Sequence, residues 1–393
     1  MKKRIIIPIL LLLIIIVSLL LLPKHQEKKE ELKEVPRLDI NLSDSLTLKT
    51  INKNDKSIKY ENNELIFNDK KYNVTIKGRG HGTWKPAKKA YQISFDSKTP
   101  LYNFNSKKYN LLANYYDPSL LKNDFTFTIA KRMDVKYTNT GEYIDLYVND
   151  QYIGNYYLIP KINISESSVN LKDNNAIIME LDNNYYEGET YFISKYFEDY
   201  LTIKDRSSNT NKGFTSFQDK YNLMEQNIQN KNYQWLKENI DIDSFIKYYI
   251  ITNFSKNPDG FRSSLYFYMD GIDDKIHIGA VWDFDIAYDY LDNDPQNNSI
   301  IQFEDNAKTS ILFDELLKID EFREELTNYW SNTACNIYKE EINNLDNKIE
   351  YLKESGEKNS MFWNGKHYNQ YTDSLKDWLN KRYNYYNELY TCK

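Results

Sequence analysis

Two aspartates stand at alternate positions at the end of an apolar run, in the segment AVWDFDIA that covers residues 280–287. In an extended chain alternate side chains point to the same side, so Asp283 and Asp285 would face one site together. A carboxylate inside a buried run is costly unless something neutralises it, and a divalent cation is its usual partner. The pattern therefore predicts a metal site at Asp283 and Asp285.

A glycine-rich segment, GRGHGTW at residues 78–84, lies between two stretches that alternate like strands. Its glycines let backbone N–H groups approach an anion closely, and Arg79 beside Gly80 adds positive charge. Lys89 follows at the mouth of the strand predicted over 91–95, where a lysine can pair with phosphates. The segment lacks the Lys-Ser/Thr ending of a P-loop. It favours a phosphate-covering loop, although tight turns and solvated strand-edge lysines share this composition.

A third candidate, Asp259, stands in a Pro-Asp-Gly turn directly after a helical run. A carboxylate placed there can accept a proton from a hydroxyl nucleophile. The same three residue types also form ordinary surface turns. Asp259 is therefore a candidate general base, with a purely structural turn as the alternative.

Other chemistries find little support among the residues. The four histidines show no metal-ligand spacing, and no G-x-S-x-G elbow occurs. Cys335 and Cys392 form no CxxC pair; a disulfide and two free thiols are both compatible with their positions. The net charge of −6 argues against nonspecific nucleic-acid binding, which needs a basic surface.

The elements that must position these residues fall into a strand-rich half and a helical half. Alternating apolar residues predict strands up to about residue 95 and again after a helix that Pro118 opens, with Asn149-Asp150 as a hairpin turn. From about residue 214 the spacing is mainly helical, interrupted by a strand pair at 265–269 and 276–282. This order indicates an α+β protein with the outline of a two-lobed kinase, an outline that many α+β enzymes share.

The N-terminus carries an unbroken apolar run from Ile5 to Leu22 behind three basic residues. About 18 residues at 1.5 Å each span roughly 27 Å, enough for a bilayer core. No small-residue cleavage site follows, so we expect residues 1–25 to act as an uncleaved signal anchor, with a cleaved leader as the alternative. The charged segment 26–37 is then a tether, and the basic flank favours a folded part outside the cell membrane.

Five segments, taken together and in order, resemble those of the CotH (spore coat protein H) family of atypical kinases. The resemblance covers roughly residues 70 to 390, and the combination is far more specific than any single motif. The segments are GRGHGTW at 78–84, KKAY at 88–91, LLANYYD at 111–117, YIDLYVNDQYIG at 143–154 and WDFD at 282–285.

The resemblance implies a fold: a bilobal atypical protein-kinase-like domain over residues 38–393, preceded by the one transmembrane helix. The strand-rich N-terminal lobe would cover about 38–185, and the mainly helical C-terminal lobe about 186–393. It also implies roles for the candidate residues. Asp259 would act as the catalytic base and Asp283 as a metal ligand, with Arg79, Gly80 and Lys89 near the phosphates.

Glu180 opens a segment, ELD at 180–182, that resembles the family's adenine-side hinge. Two other positions depart from the family pattern. Ser264 would join Asp283 and Asp285 as a metal ligand, but ordinary kinases place an asparagine there and serine is the weaker ligand. Pro160 stands where many members carry glutamate, which leaves the partners of any Lys–Glu pair unidentified.

The resemblance implies phosphoryl transfer from ATP, with Mg²⁺ or Mn²⁺, to a Ser or Thr hydroxyl of a protein, expected to be a coat or cell-surface protein. We expect no nucleic-acid partner. An inactive surface scaffold or adhesion protein is one alternative, which Ser264, Pro160 and the scarcity of ATP outside cells favour. A metal-dependent hydrolase using Asp259, Asp283 and Asp285 is another, but it would leave the glycine-rich loop and Lys89 without a role.

Overall fold

The computed structural model describes residues 34–80, 82–182, 188–208, 211–299 and 308–393. Within these residues, Val35–Lys393 forms one compact unit. The expected membrane anchor lies outside the described residues. Among those described, no helix is both long and apolar enough to cross a membrane.

The N-terminal part is a closed barrel of seven strands within the described residues. Its strand order is β1-β2-β3-β4-β5-β7-β6, and a parallel pairing of β1 with β6 closes it. Alternate apolar residues such as Ile76, Ile93 and Leu111 fill the interior, because side chains of a strand point to opposite faces in turn. The strands are β1 (Arg37–Asn41), β2 (Tyr60–Phe67), β3 (Lys70–Arg79), β4 (Ala90–Leu101), β5 (Phe104–Leu112), β6 (Glu142–Val148) and β7 (Gln151–Pro160).

The hairpin turn predicted between β6 and β7 is confirmed. Val148 pairs with Gln151, so Asn149 and Asp150 form a two-residue loop. Both have positive φ, 49° and 61°, as a hairpin turn that matches strand twist requires.

A second sheet of five antiparallel strands has the order β12-β11-β8-β10-β9. Its central strand, β8, is buried between two neighbours, consistent with its apolar sequence IIMEL. The strands are β8 (Ile177–Leu181), β9 (Tyr191–Ile193), β10 (Tyr200–Arg206), β11 (Leu265–Met269) and β12 (His277–Ile278).

Most of the helices follow residue 210 and make up the C-terminal part, whereas the first, Leu48–Lys53, packs on the barrel through Ile51. One of them, Ile242–Ser255, is buried over almost its whole length, because its sequence is apolar on most sides. The helices are α1 (Leu48–Lys53), α2 (Lys122–Arg132), α3 (Lys212–Gln229), α4 (Tyr233–Asn239), α5 (Ile242–Ser255), α6 (Leu312–Leu316), α7 (Asp320–Tyr329), α8 (Cys335–Asn343), α9 (Leu345–Trp363) and α10 (Tyr368–Tyr390).

The two cysteines form a disulfide. Cys335 begins α8 and Cys392 follows α10, and their Cα atoms are 5.7 Å apart. The bond ties the C-terminal tail to the helical part and settles the pairing that the sequence left open.

The prediction of a bilobal atypical protein-kinase-like fold is wrong. The N-terminal strands close into a barrel instead of forming the open sheet of a kinase lobe. The five-stranded sheet combines strands from both sides of residue 185, where two lobes were expected to divide. Barrel closure depends on the pairing of β1 with β6, about a hundred residues apart, and no local pattern reveals that pairing.

Candidate functional site

A cleft of about 420 Å³ lies between the outer face of the barrel and the five-stranded sheet. On the barrel side, strand register aligns Lys77, Gln92 and Asn110 in one row across β3, β4 and β5. On the other side lie Lys204 of β10 and Tyr266 of β11. The cleft thus draws its walls from two sheets that are far apart in the sequence.

Carboxylates gather next to this cleft. Burial raises the pKa of Asp283, Arg79 opposes that rise, and Glu180 adds to it. Burial also raises the pKa of Asp285 well above its usual range, and repulsion from Asp283 raises it further. The side chain of Ser264 donates a hydrogen bond of 3.4 Å to Asp283 Oδ2. The two aspartates therefore lie close enough to interact, and without a cation their burial favours the protonated form. Asp283 does not have the extended conformation from which the alternation argument started.

The donor set fits a divalent cation of the magnesium type. Among the described residues no three Asp, Glu, His or Cys side chains come together as a complete metal cage. Mg²⁺ is usually held by one or two carboxylates, with waters and substrate phosphates filling the other positions. Asp283 and Asp285, with the Ser264 hydroxyl beside them, match that arrangement, and a bound cation would relieve their repulsion.

The backbone at the aspartates is held in an uncommon conformation. Asp283 has φ 67° and Ser264 φ 57°, both in the left-handed region that few non-glycine residues adopt. Asn257 Nδ2 donates to the carbonyl of Asp283 at 3.0 Å, and the Phe284 N–H donates to Asn123 Oδ1 at 2.9 Å. Strain that neighbours hold in place in this way is concentrated at functional sites.

Asp259 lies in the turn after α5, as predicted, and Asn257 connects it to Asp283. The Asp259 N–H donates to Asn257 Oδ1 at 3.2 Å, while the same amide holds the Asp283 carbonyl. Arg262 Nε is 3.6 Å from Asp259 Oδ1, and about a quarter of the Asp259 side chain is exposed. Sequence reasoning missed Asn257, although its place two residues before Asp259 was visible.

The glycine-rich segment forms the rim of the cleft at the end of β3. Gly80 has φ 87°, and a Cβ atom there would lie 1.8 Å from Thr83 Oγ1, so the turn requires glycine. Lys56 Nζ donates to the Gly80 carbonyl at 2.6 Å. The Arg79 guanidinium lies 5.5 Å from the centre of the Trp282 ring. Arg79 therefore reaches the cleft beside the aspartate segment.

Lys89, which the resemblance implied near the phosphates, binds backbone carbonyls of residues 84 and 85. Its ammonium donates to the Trp84 and Lys85 carbonyls and lies over the Trp84 ring. Lys89 is not among the described residues that line the cleft. Its ammonium therefore binds the backbone where the glycine-rich segment ends.

Lys204 stands in the cleft instead. Its Nζ is 2.6 Å from Glu180 Oε2. Burial opposes the charged form of Lys204, but Glu180 outweighs burial and raises the pKa of the ammonium. This is a Lys–Glu pair of the kind the sequence left unidentified; strands β8 and β10 bring it together across a β-bulge, which no sequence signal reveals.

The structure therefore assembles most of the predicted residues at one place. Arg79, Glu180, Ser264, Asp283 and Asp285 lie together, and Asp259 is joined to them through an asparagine.

The chain is similar to one family of known proteins. A family model described as CotH kinase protein matches residues 76–386, a range that contains each of the predicted site residues. No curated protein matches the chain.

Proposed function

The chain belongs to the CotH kinase family, and we propose that it transfers the terminal phosphoryl group of ATP to a Ser or Thr hydroxyl of a protein. The observation that carries this proposal is the meeting of cationic and acidic groups at one cleft. Arg79 and Lys204 line the cleft and would supply positive charge to phosphates, while Asp283 and Asp285, which interact with Arg79, would hold a cation beside it.

In this proposal Asp283 and Asp285 hold Mg²⁺ or Mn²⁺, with Ser264 as a weaker neighbour. The bound cation would neutralise charge on the phosphates. Arg79 would stabilise the negative charge that develops on the transferred group. The Glu180 carboxylate holds the Lys204 ammonium in place, from where it would contact the phosphates.

Asp259 would accept the proton of the attacking hydroxyl. The hydroxyl oxygen forms a bond to the γ-phosphorus, the bond from that phosphorus to the bridging oxygen breaks, and ADP leaves. Asn257 fixes the spacing of base and metal ligand, because one amide holds the Asp259 N–H and the Asp283 carbonyl. Such positioning matters because small displacements of reacting groups are costly in rate.

We also propose that the folded part acts outside the cell membrane, anchored by residues 1–25, on a coat or cell-surface protein. The Cys335–Cys392 disulfide supports this location, because disulfides persist in oxidising compartments and are rare in the cytosol.

A second candidate is an inactive family member that serves as a surface scaffold or adhesion protein. Two observations favour it: the metal position has Ser264 instead of asparagine, and the Lys89 ammonium is occupied by carbonyls of its own loop. This candidate predicts no phosphoryl transfer and no metal-dependent nucleotide binding.

The experiment compares Asp283→Ala and Asp259→Ala, with exposed Asp96 on β4 giving the matched control Asp96→Ala. We expect Asp283→Ala to abolish metal-dependent nucleotide binding and turnover. Asp259→Ala should keep nucleotide binding and lose turnover by about 10²–10⁴-fold, the usual contribution of a general base. Nucleotide is titrated with and without metal, beside a phosphate-transfer assay. Equal loss of binding in both variants, or full activity of Asp259→Ala, would show that the roles are wrongly assigned.

A further inference from the structure

The cleft contains lysines for which the residues described above leave no role. Lys77 lies on β3, two residues before Arg79 and on the same outer face of the barrel. Lys161 follows β7 directly, and its N–H donates to the Lys108 carbonyl of β5 at 3.0 Å. Both line the cleft. They stand on the barrel wall, whereas Asp283 belongs to the irregular segment that follows β12.

These two lysines form no direct ion pair with a described residue, and among the described carboxylates Asp205 acts on Lys161 from a distance. Neither has an ion pair or a side-chain hydrogen bond to another described residue, and each is half-buried. Burial, together with repulsion from Lys108, Lys204 and Lys77, lowers the pKa of Lys161 to about 8, although Asp205 opposes the shift. Burial lowers the pKa of Lys77 as well. Holding like charges together in a partly buried wall is unfavourable unless an anion binds between them.

The residues that line the whole cleft also carry more positive than negative charge. Its lining has five cationic side chains in the described residues: Lys56, Lys77, Arg79, Lys161 and Lys204. Glu189 is the one carboxylate in that lining. Glu180 already pairs with Lys204. The barrel wall therefore keeps an excess of positive charge after its internal pairs are counted.

A neighbouring amide adds a polar contact. Asn110 lines the cleft in the same strand row as Lys77 and is 4% exposed. Its Oδ1 is buried and has no hydrogen-bond partner in the described part of the chain. Buried amide oxygens are nearly always paired, so a ligand that carries a hydroxyl beside its anionic group would satisfy Asn110.

We propose that Lys77, Lys161 and Asn110 form a second anion subsite in the cleft, which binds a phosphate group. It concerns the cleft of the proposed function, but it requires neither metal nor phosphoryl transfer. The phosphate would belong either to the nucleotide's own chain or to an acceptor that already carries a phosphoryl group.

The first test is calorimetric titration of the protein with inorganic pyrophosphate in metal-free buffer of fixed ionic strength. Lys77→Gln and Lys161→Gln should each weaken binding by about tenfold, the usual effect of removing one charge-assisted contact. Lys71→Gln is the matched control, since Lys71 lies on the same strand β3 but is exposed and paired with Glu64. Asp283→Ala should bind pyrophosphate at least as well as wild type.

The second test separates the two sources of phosphate. If the nucleotide supplies the phosphate, Lys161→Gln weakens the binding of ATP more than the binding of AMP. If an acceptor supplies it, Lys161→Gln leaves the affinity for ATP unchanged. It then weakens the binding of a phosphoserine peptide that is added with saturating nucleotide.

Unchanged pyrophosphate binding in both variants, or an equal loss in Lys71→Gln, would overturn the subsite. Retained phosphate binding without phosphoryl transfer would refute the proposed function and leave the subsite standing. Circular dichroism of each variant checks that a loss of binding is not a loss of folding.

Discussion

Removing the Cys335–Cys392 disulfide should lower the stability of the folded part by an amount that the chain length sets. The two cysteines are 57 residues apart in sequence. In the chain-entropy model a closed loop of that size restricts the unfolded chain by about 4 kcal/mol at 25 °C. The unfolding entropy of a unit as long as Val35–Lys393 is roughly 2 cal/mol/K per residue. The melting temperature should therefore fall by about 5–6 °C.

The loss of stability should come mainly from a less restricted unfolded chain, because other contacts hold the C-terminal tail in the folded protein. The tail is also held by hydrogen bonds, from the Lys393 N–H to the Ser331 carbonyl at 2.9 Å and from Ser331 Oγ to the Tyr390 carbonyl at 2.5 Å. These bonds would keep the native position of the tail without the disulfide. The loss should then appear as a less restricted unfolded state.

The assay is thermal and urea denaturation of the wild type and of the double variant Cys335→Ala/Cys392→Ala, each with and without reductant. Reductant should lower the melting temperature of the wild type alone. The urea m-value should rise when the cross-link is removed, since the free unfolded chain exposes more surface. A shift under 1 °C (about a fifth of that expected), or a reductant effect of equal size in the double variant, would refute the reasoning. An unchanged m-value would mean that the loss lies in folded-state packing instead.

Two other predictions concern pH and location. Burial opposes protonation of His277, but hydrogen bonds to Asp241 and Asp274 outweigh burial and raise the pKa of the imidazole to about 9. This folded-state pKa exceeds the unfolded value of 6.5. The protonated histidine therefore stabilises the fold fully below about pH 6.5, and that stabilisation is lost as pH rises through 9. The free energy of unfolding should therefore fall over that window by about 1–2 kcal/mol, less than the full shift would give because solvent screens the partly exposed pairs, and His277→Gln should remove the dependence. For the anchor, N-terminal sequencing of the mature membrane-bound protein should find Met1 or Lys2, and a new terminus near residue 24 would contradict it.

The sequence alone placed two aspartates close together at the end of an apolar run, Asp283 and Asp285. It did not give their arrangement, because Asp283 adopts a positive φ of 67° instead of the extended conformation that the alternation argument assumed. The sequence did determine the turn at Asn149-Asp150, because residues that accept positive φ mark it directly. The order of motifs was enough to indicate the family, which the match over residues 76–386 shows.

Only the tertiary structure decided which cations face the carboxylates. Lys204 meets Glu180 because two strands pair across a bulge, whereas Lys89, within the family-like segment KKAY, donates to carbonyls of its own loop. Lys77 and Lys161 share a cleft through strand register. Local spacing fixes which face of an element a side chain occupies, but contacts between distant elements depend on register and closure, and those are set by the packing of the whole chain.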